Sequence, residues 1–240
     1  MTLKLLTLNI EHDRHLDRVA QTIATHVPDI VCLQEVFEKD CAALAAVGGY
    51  QVKYAISALM PERSGGGTSP RSWGVAVLTR VPVHAQTVAY YADDPAIRIF
   101  KEPNDPRRLV VMTELLHEGR SYKIGTTHFT WSMNGETTDE QRADFARLKQ
   151  VLQPYPDYVL CGDFNAPRGR EMFGLFTGEL GLIDHLPADV TTTIDPQFHS
   201  AGALELAVDT IFSTPEYRLT QVQVLEGISD HKGILATVER

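Results

Sequence analysis

The number of short apolar segments with a strand pattern constrains the fold of this chain more than any other feature. These segments occupy residues 3–10, 29–36, 73–80, 83–91, 109–116, 121–129, 157–165, 204–213, 220–228 and 233–239. Segments with helical spacing of apolar residues are fewer, at 15–26, 38–47 and 137–152. Thr137 and Glu140 are expected to form a capping box in the third helix. Because several strand segments follow one another with no helix between them, the pattern predicts two packed sheets flanked by helices, not a single doubly wound sheet.

Length and composition suit one domain. The chain has 240 residues, of which 43% are hydrophobic, enough to bury a substantial core in one large α/β domain over residues 1–240. No apolar run has transmembrane length, and the apolar part of the N-terminus is too short for a signal peptide. The three cysteines are odd in number and lack a CxxC pair, which predicts a reducing, cytoplasmic location.

The charge balance argues against a protein that coats duplex DNA. The formal net charge is −9, so the strong basic footprint of such proteins is missing. A nuclease with a local basic rim is compatible with this balance.

Several of the predicted strands end in acids, amides or histidine. The residues concerned are Asn9, Glu11, Gln34, Glu35, His128, Asp163, Asn165, Ser229, Asp230 and His231. Taken singly they have ordinary structural explanations, as Asp163 and Asn165 also suit a turn. Asp209, inside an apolar strand pattern, must be paired if it is buried. Taken together these residues offer hard oxygen ligands with few nitrogens, a donor set that suits Mg²⁺ or Mn²⁺.

Other kinds of site find little support in the sequence. No cysteine and histidine spacing typical of zinc sites occurs. A GxxxxGK[ST] phosphate loop is missing, and so is the G-x-S-x-G motif of esterases.

Six short motifs, in order along the chain, resemble the endonuclease/exonuclease/phosphatase superfamily. They are TLNI, LQEV, TTHF, GDFN, VDTIF and SDH, and they extend from residue 7 to residue 231. The superfamily comprises metal-dependent phosphohydrolases such as pancreatic-type deoxyribonuclease, apurinic/apyrimidinic endonuclease and neutral sphingomyelinases. The resemblance implies a four-layered αββα sandwich of two mixed sheets, with the site at one end of the sheets.

The resemblance also implies a metal site for Mg²⁺ or Mn²⁺. Glu35 is expected to be the main ligand, with Asn9 and Asp230 beside it, directly or through water. Glu11 lies two residues after Asn9, and it is a candidate outer ligand if the strand continues.

The remaining motif residues are implied to act on the phosphate. His128 and Asn165 would hold it, and Asp209 would pair with His231 and fix its ring. Asp163 would position or deprotonate the attacking water. The sequence leaves open whether Asp163 or the pair of Asp209 and His231 is the base.

The expected function is therefore metal-dependent hydrolysis of a phosphate ester, a diester or a monoester, by in-line attack of water. The ester could belong to a small molecule, a lipid headgroup or a nucleic-acid end, because fold does not specify substrate. A DNA-processing enzyme, either an endo/exonuclease or one like tyrosyl-DNA phosphodiesterase, is one alternative. A non-catalytic phosphate-binding module is another.

Three loops are expected to set substrate choice: 61–72, 92–108 and 130–138. The first two contain arginines, and Trp131 in the third is the better of the two tryptophans for a place at the rim. The chain has no obvious insertion of the kind that DNA-repair relatives use to enter a duplex. With its negative charge, this favours a small or single-stranded phosphate ester.

Overall fold

A computed structural model describes residues 2–61, 70–91 and 96–240. The strands in these ranges are β1 (Thr2–Asn9), β2 (Ile30–Phe37), β3 (Gln51–Met60), β4 (Arg71–Thr79), β5 (Val83–Tyr90), β6 (Leu109–His117), β7 (Arg120–His128), β8 (Val159–Asp163), β9 (Ile183–Asp184), β10 (Asp209–Ser213), β11 (Arg218–Leu225) and β12 (Gly233–Glu239). The helices are α1 (Leu16–His26), α2 (Glu38–Ala46), α3 (Asp139–Leu152) and α4 (Glu171–Gly178), with a 3₁₀ turn at Met133–Gly135. In these same ranges no helix is long and apolar enough to cross a membrane.

The strands form two mixed sheets of six strands each, as the sequence predicts. The first sheet has the order β11-β12-β1-β2-β4-β3, and the second has the order β5-β6-β7-β8-β10-β9. Each sheet has one parallel pair of strands at its centre, β1 with β2 and β7 with β8, and the other pairs are antiparallel. The central strands of the two sheets contact each other across the interface.

Three groups of buried side chains define four layers. The largest lies between the sheets and includes Leu5 of the first sheet and Val111 of the second. Another packs α1 and α2 on the outer face of the first sheet, where Val19 is buried. The third packs α3 and α4 on the second sheet through Phe145 and Phe176. This arrangement confirms the αββα sandwich.

The start of α3 differs from the expected capping box. Thr138, not Thr137, is the N-cap: its hydroxyl accepts the N–H of Gln141, and the Gln141 side chain accepts the N–H of Thr138. Thr137 instead accepts the N–H of Met172 in the first turn of α4. Thr138 has the extended backbone that an N-cap requires.

Strands β3 and β9 and helix α4 were not expected from the pattern, and one expected strand is shorter than predicted. Helix α4 contains Gly174 and Gly178, which lower helix propensity, and it forms because its apolar face packs in the core. The strand expected over residues 204–213 begins only at Asp209. Upstream of it, backbone groups bond to loops; the N–H of Val208 donates to the Thr193 hydroxyl, for example.

Parts of the predicted substrate loops cannot be compared with the structure. Residues 62–69 and 92–95 lie outside the described residues. Arg71, expected in the first loop, belongs to β4 and forms an ion pair with Asp13 at 2.7 Å.

Candidate active site

The two parallel strand pairs carry polar side chains to one end of the sandwich. Asn9 ends β1, His128 ends β7 and Asp163 ends β8, while Glu35 lies near the end of β2. Parallel strands end at the same edge of a sheet, so these side chains converge. Asp209 joins them because antiparallel β10 begins at this edge, with Asp209 opposite Asp163.

Asn9 links the two sheets at this edge. Its side-chain amide donates to Glu35 Oε1 at 3.2 Å, on the first sheet, and to Asp163 Oδ2 at 3.1 Å, on the second. Its own Oδ1 accepts the backbone N–H of Glu11 at 3.3 Å. The side chain is only 1% exposed, so the site is built on the seam between the sheets.

Glu35 has an unusual backbone. The residue lies in a β-bulge opposite β4, between Leu33 and Val36, and its φ is 59°. A positive φ costs a non-glycine residue roughly 1–3 kcal/mol, and bulges often redirect a side chain beside an active site. Glu11, His12 and Asn165 around the same edge also have positive φ.

The Glu35 carboxyl is surrounded by other acids. Burial and then the negative charge of Asp230 raise its pKa to about 7, and the charge of Asp163 adds to this. The hydrogen bond from Asn9 and the charge of His231 lower the pKa of Glu35, but burial and the two acids raise it by more. The side chain is still 21% exposed, so the acids face an open cleft. Such a cluster favours a bound cation, which would relieve the repulsion among the acids.

Asp209 and His231 form a close pair. Asp209 Oδ2 lies 2.8 Å from His231 Nδ1, and both residues are buried. Burial by itself lowers the pKa of His231, but the charges of Asp209 and then Asp163 outweigh it and hold the pKa well above 6.5. The imidazolium therefore persists near neutral pH, with Nε2–H directed to within 3.9 Å of Asp163 Oδ2.

His128 has the opposite preference. Its burial lowers the pKa to about 3; the charge of Asp163 opposes this shift, and that of Arg108 adds to it. Nε2 lies 3.5 Å from Asp163 Oδ2 and 3.9 Å from Glu35 Oε1. His128 is therefore a neutral ring among acids.

Asp163 and Asn165 form a turn as well as part of the site. Strand β8 ends at Asp163, and Asp163 Oδ1 accepts the N–H of Asn165 at 2.9 Å. The Asn165 amide donates to the Phe129 carbonyl at 3.0 Å, and a second amide hydrogen is left for another acceptor. The motif therefore forms the turn that its Asx residues suit, and each oxygen of Asp163 has its own hydrogen-bond partner.

Asp230 and Glu11 have different surroundings. Asp230 is half-buried, and the Ser229 hydroxyl donates to its Oδ1 at 3.1 Å. The strand carrying Asn9 does not continue to Glu11, whose carboxylate contacts Arg14 and lies 3.0 Å from His15 Nε2. Its partners are thus an arginine and a histidine on the turn before α1.

Two sets of residues have donors for a metal ion. Ligand atoms of Asp163, Asp209 and His231 lie within 4.8 Å of one another. The shortest of these distances joins Asp209 and His231, and it is a hydrogen bond to a ring that keeps its proton. This pair is therefore explained without a metal ion. The second set, Asn9, Glu35 and Asp230, provides oxygen donors only, and the acid repulsion on Glu35 fits a hard cation better.

Three further residues lie near these groups: His12 was not anticipated from the sequence, whereas Trp73 and Arg108 were considered only as possible contacts of the substrate. His12 Nδ1 lies 3.8 Å from Glu35 Oε2. The Trp73 ring packs edge-on against His128 at 5.8 Å and is 3% exposed, whereas Trp131 is 39% exposed. The Arg108 guanidinium donates to the His128 carbonyl at 3.4 Å. The sequence signal for His12 was its position three residues after Asn9, the asparagine of the first motif.

Comparison with known families agrees with this geometry. The model of the Endonuclease/Exonuclease/phosphatase family matches residues 6–231. No curated protein matches the chain at a significant level.

Three similar solved structures share the fold over nearly their whole length. An endonuclease/exonuclease/phosphatase family protein from Leptotrichia buccalis C-1013-b is 22% identical, with a TM-score of 0.74 over 99% of this chain and 100% of that one. A D. rerio TDP2 humanized by 14 mutations is 17% identical, with a TM-score of 0.71 over 100% and 99%. A mannosyl-6-phosphatase from Bacteroides thetaiotaomicron VPI-5482 is 13% identical, with a TM-score of 0.67 over 99% and 100%. At such identities the likeness extends to the fold and not to the substrate.

Proposed function

We propose that this chain, which belongs to the Endonuclease/Exonuclease/phosphatase family, hydrolyses phosphate esters with the help of Mg²⁺ or Mn²⁺. One observation carries the proposal. An imidazolium held by a buried carboxylate, a neutral histidine and a buried aspartate meet beside an acid-rich cleft at the end of both sheets.

Asn9, Glu35 and Asp230 would hold the metal ion. The raised pKa of Glu35 supports this set, because the charge of His231 offsets burial and the charges of Asp230 and Asp163 only in part. When bound, a divalent ion offsets the charge of the phosphate and stabilises the leaving oxygen.

The other residues act on the phosphate and the water. The Nε2–H of His231 donates to charge that develops on the phosphate oxygens, and His128 and Asn165 add donors from the other side of the cleft. Asp209 fixes the His231 ring and keeps it charged. A ring that already holds its proton cannot accept another, so Asp163 is the group left to take the proton of the attacking water.

The test is a substrate panel with Mn²⁺ and with chelator. Bis-p-nitrophenyl phosphate, p-nitrophenyl phosphate, nucleotides, sugar phosphates, sphingomyelin and single-stranded DNA cover the main ester classes. We expect turnover of at least one ester, its loss in chelator, and a loss of about a hundredfold or more in kcat/KM for Glu35→Gln. Glu38→Gln, an exposed acid three residues on, is the matched control and should keep its activity.

Two results would oppose the proposal. Turnover that survives both chelator and Glu35→Gln would remove the metal assignment. Affinity for phosphate esters with no turnover across the panel would identify a non-catalytic phosphate-binding module.

A second candidate function is hydrolysis at a nucleic-acid end. Trp131 favours it, because this ring is 39% exposed three residues after His128 and could stack on a base. Trp131→Ala should then weaken cleavage of single-stranded DNA about tenfold and leave p-nitrophenyl esters unaffected. Equal effects on both substrates would remove this candidate.

A further inference from the structure

A second cavity lies next to the candidate active site. It has a volume of about 300 Å³ and separates the segment before β6 from helix α3. Arg107 and Arg108 line it from the segment, Thr130 from the loop after β7, and Glu140 and Asp144 from the helix.

Arg108 is a buried cation with neutral partners. The residue is 3% exposed, and its guanidinium donates to the carbonyls of His128 and Pro103 at 3.4 and 3.0 Å and to Asn104 Oδ1 at 3.0 Å. Its Nε has no hydrogen-bond partner, and none of its contacts among the described residues is with a carboxylate. A buried guanidinium with no carboxylate in direct contact lacks the charge-assisted bonds that would offset its burial, so this group is suited to receive an anion.

Arg107 adds a second guanidinium to the same cavity. It lies over the ring of Tyr90, 3.4 Å from the centroid, and its Nε is buried without a partner in the described part of the chain. Its backbone N–H donates to the Ser57 carbonyl at 2.9 Å, which fixes the chain at this point.

The acids of the cavity have other partners. Asp144 accepts the Thr130 hydroxyl at 2.5 Å and an Arg147 N–H at 2.9 Å. Glu140 accepts the side-chain amide of Asn104 at 2.8 Å. Neither carboxylate forms a described hydrogen bond or ion pair with Arg107 or Arg108, although the charge of Asp144 acts on the Arg108 guanidinium from a distance.

The cavity is close to the phosphate-holding part of the site. Arg108 bonds directly to the His128 carbonyl, and Thr130 follows His128 by two residues. The charges of Asp163 and Glu35 act on the Arg108 guanidinium, which places it near the acid-rich cleft as well.

We propose that this cavity is a subsite for a second phosphate group of the substrate, held by Arg107 and Arg108. The substrate class is then esters with two phosphates, or a diester whose neighbouring phosphate enters the cavity; this rests on the proposed phosphoesterase function. The planar guanidinium matches phosphate oxygens in pairs, and charge-assisted bonds of this kind are among the stronger polar contacts.

Binding is tested without metal, by calorimetric titration of the full chain with inorganic phosphate in chelator. Without a cation the acids of the active site weaken phosphate binding there, and the part of the binding that is lost in Arg107→Gln reports on the cavity. We expect Arg107→Gln to weaken phosphate binding about tenfold, Arg107→Lys to weaken it less, and Lys101→Gln to match the wild type. Lys101 is an exposed cation of the same segment, and it does not line the cavity. Thermal unfolding of each variant checks that the fold is retained.

Kinetic measurements with metal then show whether the cavity binds a phosphate group of the substrate or only free phosphate. The ratio of kcat/KM for a bisphosphate to that for the matching monophosphate should fall about tenfold in Arg107→Gln and stay constant in Lys101→Gln. An equal affinity for phosphate in wild type and Arg107→Gln would overturn the subsite. Phosphate binding that depends on Arg107, with an unchanged kinetic ratio, would overturn its assignment to the substrate. Arg107-dependent binding with no ester turned over would support the anion site and oppose the proposed hydrolase.

Discussion

At the scale of single residues, two histidines a few ångströms from the same carboxylate, one buried and one largely buried, differ in protonation. His231 has its own carboxylate, Asp209, at 2.8 Å, whereas His128 lies 3.5 Å from Asp163 and also feels the positive charge of Arg108. Burial disfavours the charged form of both rings, and only a close negative partner reverses it. One site thus contains a charged donor and a neutral donor at the same pH.

Asp209→Asn tests the charged donor. Loss of the Asp209 charge should lower the pKa of His231, so the ring loses its proton at lower pH than in the wild type. The alkaline limb of the kcat/KM pH profile should then move to lower pH. Near neutral pH the rate should fall about a hundredfold. Asp139→Asn, on the exposed surface of α3, is the control. An unchanged profile and an unchanged NMR titration of His231 would contradict the role of Asp209.

His128→Gln tests the neutral donor through stability. The folded pKa of about 3 lies below the ordinary value of 6.5, so the unfolded chain takes up the proton first. The contribution of neutral His128 to stability is complete above 6.5 and is lost as the pH falls toward 3. Between about pH 8 and pH 5 the metal-free wild type should lose about 2 kcal/mol of unfolding free energy relative to the variant. Denaturant unfolding at several pH values measures it, and parallel curves for both proteins would contradict the neutral ring.

At the scale of elements, the site depends on how closely β7 and β8 approach. Gly162 lies in β8 with φ 138°, and a Cβ built on it would be 2.0 Å from the Thr127 carbonyl oxygen of β7. The glycine of the GDFN motif is therefore a requirement of the parallel pair, which positions His128 and Asp163 side by side.

Gly162→Ala should destabilise the protein and impair the site together. The backbone of β7 must move away from the new methyl group, and we expect a loss of roughly 2 kcal/mol or more in unfolding free energy. Gly178→Ala is the matched control, because nothing lies within 4 Å of a Cβ at that position of α4. The comparison is made by denaturant unfolding, and equal stabilities of the two variants would contradict the close approach.

At the scale of the whole molecule, the αββα sandwich turns distant parts of the chain into one site. Both sheets have their parallel pair at the centre, so four strand ends meet at one edge. The acids that meet there repel each other, which is a cost of the fold that a bound cation relieves.

Divalent metal should therefore stabilise the folded protein. At a metal concentration a hundred times the Kd, binding to the folded state alone adds about 2.7 kcal/mol. Thermal unfolding with and without Mn²⁺ should show a higher Tm for the wild type and for Glu38→Gln, and a much smaller rise for Glu35→Gln. The same rise in Glu35→Gln as in the wild type would place the ion elsewhere.

Much of this architecture is predictable from sequence, and the limits have physical causes. Strand periodicity and the order of the motifs predict the two sheets and the family, and residue types predict oxygen donors near the strand ends. The start of α3 is misplaced by one residue because Thr137 and Thr138 have the same side chain, and only the fold decides that Thr138 caps α3 while Thr137 bonds to Met172. The roles of the individual site residues, the single domain and the cytoplasmic location stay predictions.

The sequence by itself determined the layers of the fold and the chemistry of the donors, because periodicity and residue type are properties of short segments. The tertiary structure alone decided which donors are charged, how the bulge at Glu35 turns its carboxylate, and that Arg107 and Arg108 line a cavity without a carboxylate partner among the described residues. Those features depend on burial and on distances between residues far apart in the chain. The bond from Asn9 to Asp163 spans 154 positions, and no local pattern contains both of its ends.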